Sequence, residues 1–185
     1  MDRLVALNHQ LHPNPLSRVS SKSPNDVVIC CAVRTPLTKS KRGGLKDTSA
    51  ELLLLPLFKA IVERTKIPPA RIQDVIIGNV LQPGAGVYQS RVSQYLSGWP
   101  DSVTTLAINR LCSSGLEAIS QVATKIQSGV IDIGIGGGVE NMSQFEMSEK
   151  LVEKDNLDKD ILPLKKVQDC LLPMGITSEV VLFFF

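Results

Sequence analysis

The sequence predicts an α/β fold, a mainly parallel mixed sheet covered by helices on both faces. Short apolar runs of strand length recur at residues 27–33, 75–78, 104–109 and 131–138. Segments of helical period stand between them, and strands alternating with helices build parallel sheets with both faces covered. The 185 residues are 43% hydrophobic and 21% charged, which suits one globular domain or slightly more and excludes disordered and collagen-like chains.

Residues 1–25 read as a leader and linker: the first eleven suggest a short helix, and Ser, Asn and Pro cluster from Asn14-Pro15 to Ser23-Pro24. Residues 27–33 form a continuous apolar run between Pro24 and Pro36, as a strand buried on both faces does. A basic loop follows with Lys39, Lys41, Arg42, Lys46 and the pair Gly43-Gly44. Thr48 and Glu51 fit a capping box before a helix over 52–62, apolar nearly all round and offset at Pro56, so it is expected between layers.

Val75-Ile76-Ile77-Gly78 reads as a second buried strand, and Gly84-Ala85-Gly86 as a loop into a helix near 90–96. Residues 104–109 are a third strand. Ser114 and Glu117 suggest a second capping box, opening a helix with Leu116, Ile119, Ala123 and Ile126 on one face and Gly129 at its end. The last strand, 131–138, carries glycines that permit close backbone approach. Residues 146–160 are dense in charge and read as a loop or exposed helix, 170–179 as ordered, and 180–185 as a β-prone uncharged run.

Twenty basic against eighteen acidic residues leave a net charge of +2, and the two signs are interspersed. Nucleic-acid binding, which needs a basic footprint, is not expected. Aromatics are 4% of the chain, too few for base-stacking platforms. No run approaches the roughly 18 apolar residues of a membrane span. Cys30, Cys31, Cys112 and Cys170 form no C-x-x-C pair, so neither a zinc site nor a thioredoxin motif is expected, and free thiols in a reducing compartment are the simplest reading.

Chemistry is best placed at Cys112, between a strand and the first turn of a helix, where unpaired N–H groups and the helix dipole favour a thiolate. The small residues Ser113, Ser114 and Gly115 leave room for a substrate. The alternative for a single cysteine is a buried structural thiol; position favours the nucleophile. A cysteine nucleophile usually has a histidine base, and His9 and His12 are the only imidazoles. Gly134 to Gly138 do not complete a dinucleotide fingerprint, since Val139 breaks it. Backbone packing near the Cys112 helix is the better reading, with Glu140 and Asn141 as polar groups reaching a cleft. Lys39, Lys41, Arg42 and Lys46 could meet an anion or simply be a solvated loop.

Around Cys112, the stretch Asn109-Arg110-Leu111-Cys112-Ser113-Ser114-Gly115-Leu116-Glu117-Ala118 resembles the acyl-enzyme signature of the thiolase family. Arg34-Thr35-Pro36, Lys41-Arg42-Gly43-Gly44, Gly78-Asn79-Val80, Gly136-Gly137-Gly138-Val139-Glu140-Asn141-Met142-Ser143 and Asp169-Cys170-Leu171-Leu172-Pro173-Met174-Gly175-Ile176-Thr177-Ser178-Glu179 extend the likeness, which is greatest to the peroxisomal 3-ketoacyl-CoA branch. The resemblance implies the family's N-terminal half domain and a thiolytic acyltransferase of fatty acid β-oxidation. Cys112 would attack the 3-keto carbon of a 3-ketoacyl-CoA, release acetyl-CoA, and pass the acyl group from its thioester to a fresh CoA. Coenzyme A is then a co-substrate; no cofactor and no metal are implied. A homodimer is.

The family's His and second Cys belong to later segments, so the chain is expected to be cut short after about residue 179 and not to turn over alone. The expected divisions are 1–25, targeting leader and linker; 26–145, N-terminal half domain; and 146–185, the start of a loop domain with an aberrant tail at 180–185. A non-catalytic chain that pairs with full-length thiolase subunits, or an aberrant product, is the alternative. Arg3-Leu4, five residues, then Gln10-Leu11 resembles an amino-terminal peroxisomal signal read by an import receptor. Arg3, Arg18 and the serines also suit a mitochondrial leader, which Asp2 opposes; the family likeness favours the peroxisome.

Overall fold

The structure, a computed structural model, describes residues 22–146 and 157–184. Its centre is strand β1, Asp74–Gly78, with all five residues buried. Strands β2, Thr104–Ile108, and β3, Gly134–Gly138, flank it in parallel, giving the order β2-β1-β3. Ile76 is level with Leu106 on one side and with Gly136 on the other. All three strands are parallel, so no mixed sheet is present among the described residues.

Period-two alternation along β1 sorts the core into two layers. Val75 and Ile77 face helix α1, Ala50–Thr65, packing with Leu54, Phe58, Trp99 and Val103. The Phe58 and Trp99 rings lie 4.9 Å apart. Helix α2, Val87–Leu96, packs against α1 and β2. Ile76 faces helix α3, Ser114–Gln127, with Ala118, Val122 and Ile131. The result is helix, sheet, helix, as the sequence predicts.

Helix α1 starts from Ser49 rather than through a Thr48 box. The Ser49 hydroxyl donates to the Glu51 carboxylate at 2.5 Å, and the Thr48 N–H donates to the Leu45 carbonyl at 3.1 Å instead of to that acid. Lys66, with φ +60°, ends the helix and donates its N–H to the Val62 carbonyl at 2.8 Å. Helix α3 likewise starts from Ser113 without a side-chain cap; Glu117 pairs instead with Arg110. Gly129, at φ +72°, follows its end as expected.

Residues 27–33 depart from expectation: they are extended but join no ladder, with Val28 71% and Ile29 77% exposed. Cys31, Val33 and Thr35 alternate as the half-buried side. Residues 32–36 and the outer face of α1, including Leu52, Leu53, Pro56 and Leu57, line a cleft of about 570 Å³. The apolar run therefore finds partial cover on a helix instead of a sheet edge, and α1 is not sealed between layers.

The expected face of α3 is also rotated. Ser114, Ala118 and Val122 are its buried positions, whereas Leu116 is 72% and Ile119 43% exposed. Two further helices follow, α4, Lys165–Cys170, and α5, Met174–Phe184. Residues 180–184 of the run read as β-prone continue α5, because nothing after Gly175 interrupts the helical ladder.

Candidate active site

The three strands end together at Gly78, Ile108 and Gly138. In parallel α/β sheets the loops beyond this carboxyl edge are where ligands bind. The loop after β2 carries Cys112, whose side chain is exposed, so the buried-thiol alternative does not hold.

That turn is closed by short side chains. Asn109 donates through Nδ2 to the Val80 carbonyl at 3.0 Å and accepts the Leu111 N–H at 3.0 Å. The Ser114 hydroxyl accepts the Arg110 N–H at 2.8 Å and donates to the Leu111 carbonyl at 2.5 Å. Ser113 donates to the Arg110 carbonyl at 2.8 Å. Leu111, directly before Cys112, is held at φ +48°, a left-handed conformation that costs a side-chain-bearing residue energy and recurs at functional sites. Arg110 pairs with Glu117 one turn into α3, and Gln121 donates to the same carboxylate at 3.1 Å.

Glycines let α3 come this close. A Cβ at Gly78 would stand 2.5 Å from the carbonyl carbon of Ser114, and one at Gly136 2.6 Å from Cα of Ile119. At Gly134 it would meet Val122 and Ile131 at 2.9 Å. The glycine-rich strand thus serves backbone packing beneath the Cys112 helix, as the sequence suggests.

Asn141 is buried, and Glu140, though exposed, is bonded to the neighbouring loop. Asn79, 1% exposed, donates to the Val139 carbonyl at 2.6 Å and to Glu140 at 3.2 Å, and accepts the Gln82 N–H at 2.8 Å. Glu140 also accepts the Val80 N–H at 3.0 Å. Buried Asn141 donates to the Thr48 carbonyl at 2.6 Å and accepts the N–H groups of Ser143 and Gln144. A buried amide left unbonded is costly, so these side chains tie the loops after β1 and β3 together.

The basic loop is engaged elsewhere. Lys41 pairs with Glu146 and its N–H donates to Ser143 at 2.9 Å, while Lys46 pairs with Asp47 at 2.6 Å. The Lys41 ammonium, by hydrogen bond and by charge, holds the Glu146 carboxyl below the ordinary glutamate range. Arg3, Leu4, Gln10 and Leu11, with His9 and His12, lie outside the described residues. Sequence reasoning missed Met174, whose Sδ stands 4.0 Å from Cys112 Sγ across 62 positions; no local pattern signals such a pair. It also missed the double bonding of Ser114, although a serine at a helix start, with backbone groups three and four positions before it in reach, is a local bonding signal.

Residues 27–183 match the family described as thiolase, N-terminal domain. The chain is 47% identical over 182 residues to a peroxisomal 3-ketoacyl-CoA thiolase of Yarrowia lipolytica, covering 97% of this chain and 43% of that protein. Its fold is similar to the dimeric peroxisomal thiolase of Saccharomyces cerevisiae, with a TM-score of 0.80 and 36% identity over 89% of this chain and 43% of the other. A second structure of peroxisomal 3-ketoacyl-CoA thiolase from that yeast matches at a TM-score of 0.65 and 39% identity, over 68% of this chain and 37% of its own. It is described as five layers built from two core domains of identical topology. The chain spans about two fifths of the length of the relatives it matches.

Proposed function

Because the chain belongs to the thiolase family, we propose that it supplies the nucleophile of a 3-ketoacyl-CoA thiolase working in peroxisomal fatty acid β-oxidation. One observation carries this reading: Cys112 stands exposed on a braced strand-to-helix turn at the carboxyl edge of the sheet, inside the family-matched region.

In the proposed reaction the Cys112 sulfur, as thiolate, bonds to C3 of a 3-ketoacyl-CoA. The C2–C3 bond breaks, its electron pair goes to C2, and a proton there completes acetyl-CoA. The thiol of a second CoA then attacks the Cys112 thioester, freeing the cysteine and a shorter acyl-CoA. Thiolate suits both steps, as nucleophile and as leaving group. The Cys112 N–H, on the turn just before α3, is proposed to steady the oxyanion. The base and acid for the proton steps fall to groups outside residues 22–184. Coenzyme A enters as co-substrate.

Peroxisomal placement is supported by the relatives' names and by Arg3-Leu4 with Gln10-Leu11, read by an import receptor. A second copy is the proposed partner. The related yeast enzyme is dimeric, and here β2 is a sheet edge beside α2, which exposes Tyr88, Val92, Tyr95 and Leu96. The exposed Leu116 and Ile119 ridge of α3 suits contact with a second core domain like that of the relative.

The test is peptide mass spectrometry after brief exposure to a short 3-ketoacyl-CoA. The acyl mass is expected on the Cys112 peptide and absent in Cys112→Ala. Acylation of another cysteine, with Cys112 bare, would overturn the assignment.

A further inference from the structure

We propose that Ser114 is the positioning residue of the nucleophile, its hydroxyl holding Leu111 left-handed and so fixing where Cys112 presents its sulfur. The inference rests on the reading of Cys112 as nucleophile. Ser114 is buried, and its single hydroxyl is used on both sides. It accepts from the Arg110 N–H at 2.8 Å and donates to the Leu111 carbonyl at 2.5 Å. It therefore clamps the turn from the peptide before Arg110 to the peptide after Leu111, around the Leu111 Cα at its φ of +48°, while the peptide between Arg110 and Leu111 is held by Ser113, which donates to the Arg110 carbonyl at 2.8 Å. A leucine released from such a grip returns to negative φ, because its Cβ crowds the following carbonyl when φ is positive.

Three neighbours keep the grip in place. Gly78 lacks a Cβ, which would otherwise stand 2.5 Å from the Ser114 carbonyl carbon and 2.7 Å from the Gly115 nitrogen. Asn109 accepts the Leu111 N–H at 3.0 Å from the other side, and Arg110 is tied to Glu117. Ser114 itself does not bond Cys112. It acts through the backbone of Leu111, which makes it positioning and not catalytic.

The discriminating comparison uses the full chain as wild type, Ser114→Ala, and Ser114→Ala with Leu111→Gly. Each is exposed to acetyl-CoA, and transfer of the acetyl carbon from CoA sulfur to Cys112 sulfur, with CoA thiol leaving, is timed by mass spectrometry. The Leu111 backbone shifts report the sign of φ, and melting temperature reports stability. Ser114→Ala is expected to acylate about 5- to 30-fold more slowly, the ratio set by the cost of an unsupported left-handed leucine, with Leu111 at negative φ. Glycine takes positive φ without steric cost, so the double variant is expected to regain most of the rate whether or not its melting temperature recovers. Positive φ at Leu111 and an undiminished rate in Ser114→Ala would overturn the proposal, as would a double variant no faster than the single. Failure of the wild type to acylate at Cys112 would instead overturn the thiolase reading beneath it.

Discussion

Gly136 faces Ile119 so closely that a Cβ on the glycine would stand 2.6 Å from the Ile119 Cα. Backbone lies against backbone there, with no side chain able to swing aside. Gly136→Ala is therefore expected to cost about 3 kcal/mol, at the upper end of overpacking penalties. Gly115→Ala, where a Cβ would meet nothing within 4 Å, is expected to stay within about 0.5 kcal/mol of wild type. Urea unfolding of the two variants side by side checks the contrast.

At the opposite end of the sheet, Lys125 pairs with Asp74, whose side chain is 6% exposed and whose other oxygen accepts from Thr104 at 2.8 Å. Lys125→Met leaves that carboxylate buried without its cation, an expected loss of about 3 kcal/mol, the lower end for buried pairs because the lysine is partly solvated. Adding Asp74→Asn removes the stranded charge and is expected to restore more than half of the loss, as read by the same unfolding experiment.

Asn79 supports both the strand-end loops and the ground beside the Cys112 turn. Asn79→Ala would strand the Val139 carbonyl and the Gln82 N–H, costing about 2–3 kcal/mol. Hydrogen exchange is expected to speed first at Gln82, whose N–H loses its acceptor, which a global destabilisation alone would not single out.

Glu146 titrates below the ordinary glutamate range because Lys41 bonds and attracts its charged form. The pairing is thus favourable above the unfolded-state value and fades as pH falls through the lowered folded value. Carboxyl-carbon NMR should show the Glu146 midpoint rise in Lys41→Met and in high salt, since both groups are exposed. An unchanged midpoint would mean the contact is not formed in solution.

The uncovered ridge of α3 should make the isolated chain self-associate. Leu116→Lys with Ile119→Lys is expected to lower light scattering and the binding of hydrophobic dyes, with the melting temperature little changed, because neither side chain belongs to the core. Monomeric behaviour of the unsubstituted chain would contradict this.

Most of the architecture was legible because apolar period and length mark β1 and β2 without ambiguity. The exposed position of Cys112 was legible from its place between a strand and the start of a helix, among the small residues Ser113, Ser114 and Gly115. Residues 27–33 misled because apolarity reports a demand for cover and not which element provides it. The face of α3 misled for a related reason. A helix lying on glycines turns small residues such as Ser114 and Ala118 inward in its first turns, so Leu116 and Ile119 point away from the sheet while Val122 and Ile126 stay against the core. Both capping boxes failed on geometry: Glu51 and Glu117 found the nearer partners Ser49 and Arg110.

The row Gly134, Gly136 and Gly138 has a consequence for inheritance. Every change in the first or second base of a glycine codon replaces the residue, and at Gly134 and Gly136 any replacement carries a Cβ that strikes the helix side of the sheet. The proposed chemistry falls on the turn before α3, yet the genetic vulnerability sits one layer below, in the strand on which that helix rests. Harmful variants of this protein should therefore accumulate in screens along β3 as densely as around Cys112, marking a strand whose whole contribution is what it leaves out.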